Sequence, residues 1–190
     1  MLAFAYPEGD GQKGANNVAS LLVYGLKHLG MIIEGKTGKR LTIIMDNCSG
    51  QNKNNVVLRL ALWLVEMKFF KEVCFSFYIR GHTKNACDIL FNQMKLNYHK
   101  AQVFTMDQLL NKLNEQPNVT VLQATPEMFL DYSEMMDAFY SKFKGNVTIN
   151  HVFAVHDSSP TMMLLKADVD SEPVRVNFKK EGRDRCRTSG

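Results

Sequence analysis

Residues 43–55, IIMDNCSGQNKNN, carry an apolar run straight into a carboxylate, Asp46, and then into a cluster of turn-forming and amide side chains. A strand that only fills a core ends on a single Gly or Asn, so an acid followed by this cluster marks a strand end built for something more. Upstream, Leu41–Met45 reads as a buried strand, and downstream Val56 to Phe70 reads as a helix rich in Leu and Val. A second strand follows in EVCFSFYI, residues 72–79. A third helix begins near Thr83 or Lys84 in RGHTKNACDILFNQMKLNYHK, with Ile89, Leu90, Met94 and Leu96 on it. Before the motif, LAFAY (residues 2–6) reads as a short strand. From Ala15 to Leu29 the apolar positions Val18, Leu21, Leu22, Leu26 and Leu29 recur at helical spacing, and Gly30 stops the run. Alternation of strand and helix predicts parallel strands joined by right-handed crossovers, an α/β fold.

Beyond residue 100 the pattern changes. TMDQLLNKL sets Thr105 three places before Gln108, and TPEMFLDYSEMMDAFYSKFKG has Thr125 as cap, Pro126 at the first helical position and Gly145 as stop, so two helices are expected. VTINHVFAV, TMMLLKA and PVRVNF then read as short strands of a small β-rich tail. The domain reading is a core over residues 1–100 and a helical and β-rich extension over 101–190.

A chain of 190 residues, 45% hydrophobic, can bury a real core in one domain with a modest extension. Its longest apolar stretch, Val56 to Val65, is interrupted by Arg59 and is far short of the roughly 20 residues a membrane helix needs. No membrane span is expected, and the N-terminus lacks the basic segment of a secretory signal. Cys48, Cys74, Cys87 and Cys186 show no CxxC spacing, which favours free thiols in a reducing, intracellular compartment. The net charge of +4 permits nucleic-acid binding, and the basic tail FKKEGRDRCRTSG reads as a solvated end, with a nucleic-acid arm or nuclear signal as its alternative. There is no GxSxG elbow, so a doubly wound hydrolase lacks its usual nucleophile.

In a parallel α/β sheet, binding residues gather where strands end at their carboxyl edge, and Asp46 is predicted at such an end. Asp88, near the start of the third helix, can reach the same edge. Two carboxylates meeting there repel, and a hard divalent cation such as magnesium relieves the repulsion. Gln51, Asn52, Lys53, Asn54 and Asn55 offer donors and a charge to a phosphate backbone, or orient the carboxylate. Arg80, Lys84 and Lys95 can line a backbone-binding groove, and His82, just past a strand, can act as an outer acid, base or phosphate contact. Each has a plainer alternative: Asp46 a loop or cap acid, Asp88 a first-turn acid favoured by the helix dipole, His82 a solvated loop residue. His82, Cys87 and Cys48 have no recognised zinc spacing.

The blocks DNCSGQNKNN and GHTKNACDILFNQMK, separated by a helix and a strand and preceded by the helix KGANNVASLLVYGL, resemble the DDE-type transposase domains of eukaryotic DNA transposons, oomycete and metazoan copies among them. Members of that group show a DxCxGQNKN block and a GHxxxxCDxxF block, and the resemblance covers about residues 1–100. It implies a ribonuclease H-like mixed sheet flanked by helices. Asp46 matches the family's second catalytic acid and metal ligand, Asp88 its third, and His82 a histidine of the second block. Magnesium or manganese as cofactor, DNA as partner, a nuclear location and strand cleavage and transfer follow from the same resemblance, and it leaves room for a homo-oligomer. The family's first acid lies on a central strand ahead of a hairpin, a place that neither Glu8 nor Asp10 matches. The chain is therefore expected to be truncated at that strand, inactive alone, and short of one neighbour for the strand that ends at Asp46. The rival expectation is a noncatalytic nucleic-acid-binding or interaction module retained from such an element.

Overall fold

The computed structural model describes residues 1–11, 14–33, 38–78 and 86–180. Helix α2 (Asn55–Glu66) organises them. Val57, Leu58, Leu60, Ala61, Leu62, Leu64 and Val65 are all buried, so apolar groups point from nearly every side of the helix and it has to be enclosed. Strands β2 (Arg40–Met45) and β3 (Glu72–Phe77) flank it in sequence and pair in parallel, Leu41 beside Val73 and Met45 beside Phe77. On the far side lie α1 (Ala15–His28) and α5 (Tyr132–Phe139), both in contact with α2.

The sheet continues beyond β3. Strands β5 (Val152–His156), β6 (Met162–Lys166) and β7 (Val174–Asn177) add antiparallel, giving the order β2-β3-β5-β6-β7, a mixed sheet in an α/β fold. The expected β-rich tail is thus an extension of the main sheet. Period-two alternation explains it: Phe153, Val155, Met163 and Leu165 are buried in the same core as Val73 and Phe75. On the opposite face, Thr42, Ile44, Cys74, Ser76, Val152, Ala154, Leu164 and Lys166 are none of them buried.

Strand β2 departs from the buried strand expected of it. Among the described residues it lies at the end of the sheet with β3 as its one partner, and its outer-face residues Thr42 and Ile44 are exposed. The opening strand β1 (Leu2–Ala5) does not join this sheet either. It pairs in parallel with β4 (Thr120–Gln123), a strand that its short polar-flanked sequence had hidden. Helix α3 (Ala86–His99) packs with α4 (Met106–Asn114), and α4 with β4. Met94, Val119 and Val121 form a second, smaller apolar cluster there with Leu90, Leu110, Leu113 and residues of β1. The predicted start of α3 at Thr83 or Lys84 lies outside the described residues.

The helix expected from Thr125 to Gly145 is broken. One 3-10 turn, Pro126–Met128, gives way to an extended stretch, and α5 starts afresh from Asp131, whose Oδ1 accepts from the Glu134 N–H at 3.0 Å. Side chains of α1 impose the break: Ser20 Oγ takes the Leu130 N–H at 3.0 Å, and Asn16 takes the Ser133 N–H at 2.8 Å while donating to Asp131 at 2.9 Å. Tertiary hydrogen bonds here outweigh a favourable local pattern.

Arg59 is the one charge on α2 inside the core, 1% exposed. Its Nε donates to the Asn55 carbonyl at 2.9 Å, and its guanidinium reaches Asp137 Oδ1 at 2.6 Å and the Tyr140 carbonyl at 3.4 Å. Hydrogen bonds from Lys142 and Arg59 hold the Asp137 carboxyl below the ordinary carboxylate range. Arg59→Ala should lower the unfolding free energy by about 3 kcal/mol, through lost hydrogen bonds and a cavity, as read by urea denaturation. Because the folded Asp137 pKa is depressed, its contribution is present above its unfolded value and lost as pH falls through the folded one. Stability of the Asp137→Asn variant should accordingly fall less steeply than that of the parent below about pH 4.

Candidate active site at the carboxyl end of strand β2

Strand β2 gives its last carbonyl, that of Met45, to the Tyr78 N–H at 2.9 Å, and Asp46 emerges beyond it, exposed. The polar cluster that follows is a hydrogen-bonded connection from strand to helix. The Cys48 carbonyl accepts from the N–H groups of Gln51 (3.3 Å), Asn52 (2.8 Å) and Lys53 (2.9 Å), closing the turn. Asn54 caps α2, its Oδ1 accepting from Val56 (3.0 Å) and Val57 (3.1 Å), while its Nδ2 donates to the Gln51 carbonyl at 2.8 Å. Asp46 Oδ1 takes the Cys48 N–H at 3.2 Å and the Asn52 side-chain amide. Its Oδ2 has no hydrogen-bond partner among the described residues. Asn52 therefore does what one reading of its amide expected, orienting the carboxylate.

Lys53 was expected on a phosphate backbone, and the structure places it elsewhere. It is 2% exposed, its Nζ donates to the Thr148 carbonyl at 3.0 Å, and it lies over the Phe77 ring, 5.4 Å from the centroid. Burial pushes its pKa down. Asn55, on the other side of the Asn54 cap, accepts from the Phe143 N–H at 2.7 Å. Two residues of the motif thus bind the segment 143–148 to the head of α2, an inward job that no sequence signal distinguished from a phosphate contact.

The same sheet edge carries more than Asp46. His151 precedes β5 and sits beside the end of β3: its carbonyl accepts the Phe77 N–H at 2.8 Å and its Nδ1 lies 3.3 Å from the Phe77 carbonyl. Its own N–H donates to the Lys166 carbonyl at 2.8 Å. Along the strand order the edge presents Asp46, Tyr78, His151 and Lys166, with Asp46 and His151 two strands, or about 10 Å, apart at the backbone. His151 escaped the sequence reading because a lone His before a strand carries no motif.

Asp88 lies exposed in the first turn of α3, and Lys95 is exposed on the same helix, which packs in the second apolar cluster, whereas β2 belongs to the main one. Gln51 is exposed on the turn. Arg80, His82 and Lys84 lie outside the described residues, as does most of the segment joining β3 to α3. Among the described residues no group of three or more His, Cys, Asp or Glu is gathered to hold a metal ion. Asp46 supplies a hard oxygen donor of the kind magnesium takes, one or two carboxylates with water making up the remainder.

The fold and this edge define an α/β protein whose mixed sheet presents an oriented carboxylate where a parallel strand pair ends. Over residues 9–170 the chain matches the family described as Domain of unknown function (DUF7869), and it belongs to that family. The match spans the Asp46 turn, the start of α3 and His151 alike. No curated protein and no solved structure matches it significantly.

The two halves of the motif should separate under mutation. Lys53→Ala should cost about 2 kcal/mol of stability, from the Thr148 carbonyl left unpaired and the lost packing. Gln51→Ala, at an exposed side chain, should stay within about 0.5 kcal/mol. Urea denaturation of both variants checks the contrast.

Proposed function

We propose that this chain is a transposon-derived, ribonuclease H-like domain of the DNA strand cleavage and transfer class, with Asp46 as a metal ligand. The observation that carries the reading is the place of Asp46: it ends the first strand of a parallel β2-α2-β3 unit, one oxygen held by Asn52 and the Cys48 N–H, the other turned to no described partner. The blocks DNCSGQNKNN and GHTKNACDILFNQMK support it by resemblance. In this reading Asp46 and Asp88 are the second and third acids of the site, Asn52 fixes the Asp46 carboxylate, and His82 serves as an outer acid, base or phosphate contact. Gln51, Arg80, Lys84 and Lys95 face the DNA backbone. When bound, magnesium or manganese activates the attacking water or hydroxyl and steadies the leaving oxygen. The first acid is not matched by any residue of this chain, so cleavage by these 190 residues alone is not expected.

A second reading is a noncatalytic nucleic-acid-binding module kept from such an element, for which the net charge of +4 leaves room. The two separate experimentally. The first expects Mn²⁺ binding, followed by electron paramagnetic resonance, that weakens about 10-fold or more in Asp46→Ala. It also expects magnesium-dependent nicking by a chain extended upstream, lost in Asp46→Ala and Asp88→Ala. Nicking that survives both substitutions would reject it. Salt-dependent DNA binding unmoved by magnesium and by the loss of either acid would establish the second.

A further inference from the structure

Among the described residues strand β2 pairs on one side alone, with β3, and the chemistry of its other edge says what belongs there. The carbonyls of Lys39 and Met45 are taken by N–H groups of Lys71 and Tyr78, so the odd-numbered residues of β2 turn their backbone groups toward β3. A strand residue points its N–H and C=O the same way, so Arg40, Thr42 and Ile44 turn theirs outward to the free edge. Natural edges are blunted by Pro, charge or a cover. The other end of this sheet follows that rule, β7 coming directly after Pro173 and carrying Arg175. Strand β2 has a single charge at its start, no Pro, and Ile44 59% exposed.

We propose that the free edge of β2 seats a second copy of this chain, the two β2 strands running antiparallel about a twofold axis at Ile43, with Arg40 of each opposite Asp46 of the partner subunit. Three constraints select this arrangement. Antiparallel partners must both turn their backbone groups toward each other, so even residues oppose even ones; with Thr42 opposite Ile44 of the partner subunit, each such pair exchanges two hydrogen bonds. Leu41 then opposes Met45 of the partner subunit, and Ile43 opposes Ile43 of the partner subunit, which keeps every core-facing residue on one face. Arg40 and Asp46, both exposed on the other face, meet across the junction as two symmetric ion pairs. A slip of two residues sets Arg40 opposite Ile44 or Cys48 of the partner subunit, and both ion pairs are lost. The strand is basic at one end, acidic at the other and apolar on alternate residues, so it is complementary to its own reverse, as a twofold interface requires.

Sedimentation equilibrium of the 190-residue chain in EDTA tests this without any metal at Asp46. Failure of the dimer therefore leaves the Asp46 metal reading standing, and failure of the parent chain to bind Mn²⁺ leaves the dimer standing. A dimer is expected at tens of micromolar. Thr42→Pro removes an outward N–H without touching the bonds to β3 and should weaken association about 10-fold or more with an unchanged circular dichroism spectrum. Arg40→Asp and Asp46→Arg should each weaken it, and the double variant, which restores the ion pairs reversed, should recover it. Glu72→Gln, which removes the in-chain partner of Arg40 at 3.1 Å, should leave the dimer intact. A chain that sediments as a monomer at that concentration overturns the proposal, whether its edge stays bare or is filled by a segment added upstream. Failure of the double variant to recover association overturns it as well.

Discussion

The structure depends on the enclosure of one helix. With apolar side chains around nearly its whole circumference, α2 cannot lie on a surface, and the elements adjoining it are arranged to cover it. Strands β3 and β5 lie against it on one side and α1 and α5 on another, β5 bringing Phe153 and Val155 into the same core from the far part of the chain. Arg59 turns that enclosure into a directional one. A buried guanidinium must be satisfied, and its partners Asp137 and the Tyr140 carbonyl fix where α5 ends and where the chain leaves it. Tyr140 is anchored a second time, its hydroxyl donating to Glu66 at the other end of α2, and burial together with that carboxylate pushes the phenol's pKa up.

The same helix explains why the polar motif is built as it is. Its first turn presents N–H groups that need acceptors, and Asn54 supplies one while gripping the turn behind it. Lys53 and Asn55, on either side of the cap, reach the 143–148 segment, which is thereby held beside the loop that carries Asp46. A stretch that reads as a solvent-facing cluster of amides thus divides its labour. Asn54 starts the helix, Lys53 and Asn55 hold a distant segment, and Asn52 attends to the carboxylate beside the Cys48 N–H.

Much of the architecture could be read from the chain because it rests on local periodicity. Helices α1, α2 and α4 and strands β2, β3, β5, β6 and β7 all announce themselves by spacing, caps or alternation, and each forms close to where that spacing puts it. What could not be read is pairing. Nothing in LAFA says that it will find TVLQ across more than a hundred residues, and nothing in TMMLLK says that it will extend a sheet begun before residue 50. Pairing is decided by which edges remain open once α2 is covered, a property of the assembled core. The broken helix at 125–145 has the same origin, since the side chains that break it, Asn16 and Ser20, lie more than a hundred residues away. At the site, the position of Asp46 was legible from strand end and turn chemistry. The inward turn of Lys53 was not, because an ammonium beside amides looks the same whether it meets phosphate or a carbonyl.

Local hydrogen bonding does not mark Asp46 as special. Its Oδ1 accepts one backbone N–H two residues on and one side-chain amide, much as Asp131 accepts from Glu134 and Asn16, and Asp168 from Asp170 and Ser171. Those two acids end no parallel strand: Asp131 starts a helix that α1 holds in place, and Asp168 closes the turn after β6. Asp46 differs by where the turn is mounted. A parallel pair needs a crossover, here α2, and both strand ends are then delivered to one rim, where neighbouring strands add His151 and Lys166. The turn, closed on the Cys48 carbonyl and tied to the Asn54 cap, leaves the acid oriented at that rim, one oxygen held by the Cys48 N–H and the Asn52 amide.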